Sequence, residues 1–228
     1  MVLSKDYFLV PFIIYGRGRK VLLLQGEKGR TGDNAPFEIE IQVHKESNKV
    51  WVEGKIKAKR DFWLEKFSPF SLDIENLLKG LKAKRLRFAY TDFTIDSEKV
   101  GLASLPEERQ SKKSHLYGLF SSKRRKSLLI GAIEPNHKSV VEYTGKRIEA
   151  YSQIERKLLK GDLLYLDRWV IIEGNSFQEV LESYAALFRA VPQRFSSNRV
   201  NGWNSWDYYF CERRYNLLKR KVSCQEYG

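Results

Sequence analysis

One stretch of strict alternation, together with the strand that answers it, constrains the fold of this chain more than any other feature. Phe37-Glu38-Ile39-Glu40-Ile41-Gln42-Val43-His44 alternates apolar and polar residues. After the turn residues Glu46-Ser47-Asn48 it is answered by Val50-Trp51-Val52-Glu53-Gly54-Lys55-Ile56. A period of two sends successive side chains to opposite faces of a strand, so the pair reads as an antiparallel hairpin with one dry face and one wet face. Further strands are expected at 8–15, 20–25, 61–65, 86–95, 115–121, 128–134, 140–144, 148–156 and 163–173. Strands this numerous, separated by Gly-, Asn- and charge-rich turns, predict an all-β chain: a large antiparallel β-sandwich.

Helical periodicity competes in few places. Residues 72–80 predict one or two turns. Ser176-Phe177-Gln178-Glu179-Val180-Leu181-Glu182-Ser183-Tyr184-Ala185-Ala186-Leu187-Phe188 predicts a full helix. Ser176 and Glu179 have capping-box spacing, and Phe177, Val180, Leu181, Tyr184, Leu187 and Phe188 fall on one face. Pro192 stops it. This helix follows the last expected strand, so it reads as a connector that packs against a neighbouring domain. The expected organisation is a sandwich domain over 1–174, a linker helix and loop over 175–199, and a separate closing segment over 200–228.

Composition narrows the classes. Of 228 residues, 42% are hydrophobic, enough for a folded core. No apolar run reaches the roughly 18 residues a membrane helix needs, and Met1 to Asp6 leads into no secretory signal. A partner membrane is therefore not expected. Both cysteines, Cys211 and Cys224, lie near the C-terminus without metal-ligand spacing around them. Neither a zinc site nor a disulfide framework is expected, and a cytoplasmic address is the default. His44, His115 and His137 stand far apart and read as structural or solvent-facing. Gly16-Arg17-Gly18 and Gly29-Arg30-Thr31-Gly32 lack the context of a phosphate loop and read as hairpin turns.

The net charge of +13 admits two readings. One is a polyanion partner such as nucleic acid or an acidic glycan. The other is a solvated basic surface. The clusters Lys82-Ala83-Lys84-Arg85, Lys112-Lys113 and Lys123-Arg124-Arg125-Lys126 fall between strands, where loops belong. That favours the solvated surface, and nucleic acid is not the expected partner. A basic all-β binding module stays open as the alternative.

The chemistry-bearing stretch is Asn201-Gly202-Trp203-Asn204-Ser205-Trp206-Asp207-Tyr208-Tyr209-Phe210. Ring faces mixed with short polar groups suit a sugar-binding wall, in which aromatics cover a pyranose and polar atoms take its hydroxyls. Trp203 and Trp206, three apart, point to opposite faces on a strand. From Gly202 to Phe210 the stretch resembles the first barrel strand of α-galactosidases of glycoside hydrolase family 36 and the related raffinose synthases. Their signature reads Gly-Trp-Cys-Ser-Trp-Tyr-x-Tyr-Phe. Tyr117-Gly118-Leu119-Phe120-Ser121-Ser122-Lys123 is similar to the family's Gly-Phe-Leu-Ser-Ser segment. Leu181-Glu182-Ser183-Tyr184-Ala185 is similar to its linker helix.

The resemblance implies an N-terminal supersandwich, a linker helix and the first strand of a (β/α)8 barrel. It also implies a retaining, metal-free reaction on α-galactosides that needs no cofactor. Trp206 and Asp207 would line the galactose subsite, with Trp203 beside them as a further substrate-binding candidate. Asn204 stands for the family's Cys and Asp207 for its Tyr, so the subsite's preference differs. The two catalytic Asp residues belong to later barrel strands that this sequence does not contain. Asp92, Asp96, Glu107-Glu108 and Asp167 form no paired motif, so no catalytic residue is assigned and the chain alone is expected not to hydrolyse glycosides. The basic tail from Cys211 departs from the family's acidic helix start; a shifted reading frame would account for it. A separately encoded barrel chain is an expected partner on this reading.

Overall fold

The computed structural model describes residues 11–22, 35–94, 97–123, 126–133 and 135–189. Its elements are β1 (Phe12–Tyr15), β2 (Arg19–Leu22), β3 (Phe37–Glu46), β4 (Lys49–Ala58), β5 (Phe62–Asp73), α1 (Ile74–Gly80), β6 (Leu86–Thr94) and β7 (Ser97–Leu105). They continue with β8 (Lys112–His115), β9 (Tyr117–Ser121), β10 (Ser127–Ile133), β11 (Lys138–Tyr143), β12 (Arg147–Leu158), β13 (Leu163–Gly174) and α2 (Phe177–Arg189). The strands form a six-stranded sheet, ordered β2-β1-β5-β12-β11-β8, and a seven-stranded sheet, ordered β3-β4-β13-β10-β9-β6-β7. Every pairing is antiparallel. The expected all-β sandwich is the fold.

The core lies between the sheets. Phe67, Phe70, Tyr143 and Leu158 of one sheet meet Phe37, Ile56, Phe88, Phe120 and Trp169 of the other, all fully buried. Phe88 and Phe120 stack with centroids 4.6 Å apart. Trp169 also needs a partner for its buried indole N–H. Nε1 donates across the core to Ser152 Oγ at 2.9 Å, joining β13 to β12.

The hairpin at 37–56 forms in the expected register, with Glu40 opposite Lys55 and Gln42 opposite Glu53. Three strands depart from expectation, each for a local reason. The strand expected to end at Glu65 runs on to Asp73 through Pro69. The ladder between β5 and β12 shifts register there, Phe67 facing Ser152 and Phe70 facing Ala150. A proline is tolerated in a strand at such a bulge because no ladder donor is missed. The strand expected at 115–121 is two strands, broken at Leu116, whose φ is 69°. Leu116 N donates to Ser139 O in one sheet, and Leu116 O accepts from Ala132 N in the other. The chain thus crosses from the six-stranded to the seven-stranded sheet at one residue. Strand β7 was not expected; it is an edge strand paired only with β6 among the described residues.

Helix α2 starts at the predicted cap. Glu179 N donates to Ser176 Oγ at 3.1 Å, while the Glu179 carboxylate reaches Asn175 N at 2.7 Å. Its apolar face lies on the outer side of the seven-stranded sheet, where Val180 and Tyr184 pack with Leu129, Ile133, Val170 and Ile172. Burying side chains of this size stabilises by about 1.5–3 kcal/mol each. Gly131 makes the docking possible: a Cβ there would lie 2.7 Å from the Tyr184 ring. The Tyr184 hydroxyl donates to Ala132 O beside it. Burial pushes the Tyr184 hydroxyl's pKa well up, so it remains a donor. The helix was expected to pack against a neighbouring domain, with Phe177 on its buried face. Its partner is the sandwich itself, and Phe177 is 60% exposed.

Candidate functional site

Trp203, Trp206 and Asp207 lie outside the described residues, as do Cys211, Cys224 and the basic tail. The described polar site is a cleft of about 410 Å3 on the outer face of the seven-stranded sheet, beside the part that α2 covers. Strands β3, β4 and β13 form its floor, and the β10–β11 loop forms one wall. Alternation explains who faces it: Ile39, Val52 and Ile56 turn into the core, and Glu40, Gln42, Glu53 and Lys55 line the cleft. Gly54 sits between them because a Cβ there would lie 2.6 Å from Glu40 O.

The charges are matched. Lys55 Nζ lies 2.8 Å from Glu40 Oε2, and Gln42 Nε2 donates to Glu40 Oε1 at 3.1 Å. The hydrogen bond to Glu40 and its charge raise the Lys55 ammonium above its ordinary value. Arg168 Nε donates to Glu53 Oε2 at 3.0 Å, and His44 Nε2 stands 3.2 Å from Glu53 Oε1. Tyr165, 67% exposed, offers a free ring face at the rim.

A bulge in β13 shapes the deeper part. The register against β4 shifts between Leu166 and Trp169, both core residues. Two residues are squeezed between them: Arg168 turns to solvent and Asp167 is buried. Asp167 Oδ1 accepts from Asn136 N at 2.9 Å and lies 3.0 Å from His137 Nδ1. A ring nitrogen beside a carboxylate oxygen carries the proton, so Asp167 fixes the tautomer of His137. This matches the structural role expected of that histidine. Asp167 Oδ2 is buried without a hydrogen-bond partner among the described residues.

The cleft sets paired carboxylates and cations beside one exposed aromatic side chain, a mix of groups that can meet a small polar ligand. Among the described residues, no three His, Cys, Asp or Glu side chains gather around a position that could hold a metal ion. No helix among them is long and apolar enough to cross a membrane. The sequence pattern gave the outward position of Glu40, Gln42, Glu53 and Lys55 but no hint of Tyr165 and Arg168, which the β13 bulge brings to them.

Among solved structures the chain is similar to the GH36 α-galactosidase AgaA from Geobacillus stearothermophilus, in complex with 1-deoxygalactonojirimycin. The TM-score is 0.52 at 7% identity, over 79% of this chain and 32% of that one. The fold is shared. The GH36 α-galactosidase AgaB of the same organism gives a TM-score of 0.47 at 7% identity, over 73% of this chain and 30% of that one. The chain thus spans about a third of the length of these enzymes. No family model and no curated protein matches the sequence.

Proposed function

We propose that the chain is the sandwich part of an α-galactosidase-like glycoside hydrolase, with its linker helix and first barrel strand, and that it binds saccharide without cleaving it. The observation that carries this reading is the fold shared with a family 36 α-galactosidase over 79% of the chain. The motif Gly202 to Phe210 supports it independently of the fold. Trp203, Trp206 and Asp207 are then the residues that contact a galactose ring, and the charge-matched cleft with Tyr165 at its rim is a second saccharide-facing surface. On this reading the catalytic carboxylates belong to a barrel, and a barrel chain is the partner.

The nucleotide sequence beyond codon 228, read in all frames, tests the proposal. The expected result is a barrel-coding frame carrying two catalytic aspartates on its later strands. An unrelated sequence there, with no such frame nearby, overturns it.

A further inference from the structure

Lys82-Ala83-Lys84-Arg85 and Lys123, about forty residues apart in sequence, come together in space. Strand β6 pairs with β9 so that Arg87 faces Ser121. That register sets the loop before β6 beside the loop after β9. The result is a groove of about 420 Å3 lined by Lys82, Ala83, Lys84, Arg85, Ser122 and Lys123.

Three features separate this groove from an ordinary solvated basic patch. The first is uncompensated charge. Arg85 Nε is held by Glu107 Oε1 at 2.7 Å. Lys82, Lys84 and Lys123 have no ion-pair partner among the described residues. Like charges held this close repel one another, and an anion between them removes the repulsion. The second is Ser122, which lines the groove. It is only 9% exposed, and its Oγ is buried with no hydrogen-bond partner among the described residues. Buried hydroxyls nearly always have a partner, and one that lacks it marks where a ligand atom completes the set. The third is how Lys82 is held. α1 ends in a Schellman arrangement, Ala83 N donating to Leu78 O at 2.9 Å and Lys82 N to Lys79 O at 3.1 Å. Lys82 takes the left-handed position of that motif, φ 50°, where glycine is usual.

We propose that this groove seats the phosphate or sulfate monoester of a small ligand. The three free lysines supply the charge, Ser122 donates its hydroxyl to one ester oxygen, and Ala83 with the lysine stems takes the apolar body of the ligand. The occupant is small because the groove holds only about 420 Å3. No aromatic side chain among the described residues lines it, so it lacks the stacking surface that a single-stranded nucleic acid uses. The site stands apart from the cleft and does not depend on the glycoside hydrolase reading.

Calorimetric titration of the purified chain at low ionic strength tests it, with inorganic phosphate, inorganic sulfate, galactose 6-phosphate, galactose 6-sulfate, unsubstituted galactose and a short DNA duplex as probes. One or both esters are expected to bind at a single salt-sensitive site, and the tighter ester identifies the source of the oxyanion. The Lys84→Gln/Lys123→Gln double variant is expected to weaken that binding about tenfold or more. Ser122→Ala is expected to weaken it a few-fold with unfolding temperature retained. The inference is overturned if no oxyanion binds at low salt, or if the double variant binds the ester unchanged. It is also overturned if the duplex binds steeply with salt while the esters do not, which would make the patch a polyelectrolyte surface.

Discussion

The cleft over β3, β4 and β13 and the groove between the α1–β6 and β9–β10 loops have nearly equal volumes, about 410 and 420 Å3, yet opposite electrostatic construction. In the cleft each cation is answered: Lys55 by Glu40 and Arg168 by Glu53. In the groove Arg85 is answered, and Lys82, Lys84 and Lys123 have no ion-pair partner among the described residues. The cleft is set by strand register, which places opposite charges directly across a ladder. The groove is set by two loops whose charges the sequence clusters by sign. A charge-matched site costs little to leave wet and selects a neutral, hydroxyl-bearing ligand. An unmatched one gains most from an anion.

The floor of the cleft is the place where this contrast can be broken most forcefully. Gly54→Val sets a branched side chain where even a Cβ meets Glu40 O at 2.6 Å. The expected destabilisation is about 1–3 kcal/mol, read by chemical denaturation, with ester binding retained by the folded fraction. An unchanged midpoint would show that the β3–β4 approach is looser than described. Lys82→Gly acts on the groove with two opposite signs. Relief of the left-handed lysine is expected to raise stability by about 1 kcal/mol, while ester affinity falls. A variant whose ester affinity is unchanged or higher would separate Lys82 from the site. Arg168→Ala unbalances the cleft and leaves Glu53 with His44 alone. For an exposed pair the expected stability loss is below about 1 kcal/mol, with saccharide binding weakened and ester binding in the groove untouched.

The smallest effect is a pH response at the sandwich end, away from both sites. Asp61 Oδ1 accepts from Lys160 N at 3.0 Å, and Oδ2 pairs with Lys157 at 3.0 Å. The Lys160 backbone bond, then the Lys157 hydrogen bond and charge, hold its carboxyl below the ordinary 3.8. Its ionised form therefore contributes stability fully above that value, and the contribution is lost as pH falls through the lower folded value. Asp61→Asn is expected to lower stability slightly at neutral pH, read by denaturation against pH, and to flatten the acid limb below about pH 4, the two curves converging at low pH.

Much of this molecule was legible in its sequence, and the limits have physical causes. The β3–β4 hairpin could be read because one of its faces is wet, so alternation survives. In β10 and the second half of β13 both faces are dry: Leu128, Ile130, Ala132 and Ile171 enter the core while Leu129, Ile133, Val170 and Ile172 meet α2. There the apolar run marks a strand but hides which residues point where. The packing of α2 on the sandwich rests on Gly131, whose missing side chain has no periodic signal. Leu116 fits its alternation and yet turns the chain between sheets, because the turn is fixed by hydrogen bonds to Ser139 and Ala132 in two different strands. Lys82-Ala83-Lys84-Arg85 and Lys123 were visible as loop residues, but their meeting depends on the β6–β9 register, a long-range pairing; Lys112-Lys113, expected between strands, instead opens β8. The residues assigned to the galactose subsite, Trp203, Trp206 and Asp207, lie beyond the described residues, so their assignment rests on the motif alone.

The most direct measurement of the division between the two sites is a backbone amide NMR titration of one labelled sample with methyl α-galactoside and then galactose 6-phosphate. The account predicts that the neutral sugar shifts Gly54, Tyr165 and Arg168 and leaves Ala83 and Ser122 in place. The phosphate ester is predicted to shift Ala83, Ser122 and Lys123 whether or not the sugar is present. Shifts of the cleft residues by the ester alone, or of both sets by either ligand, would contradict it.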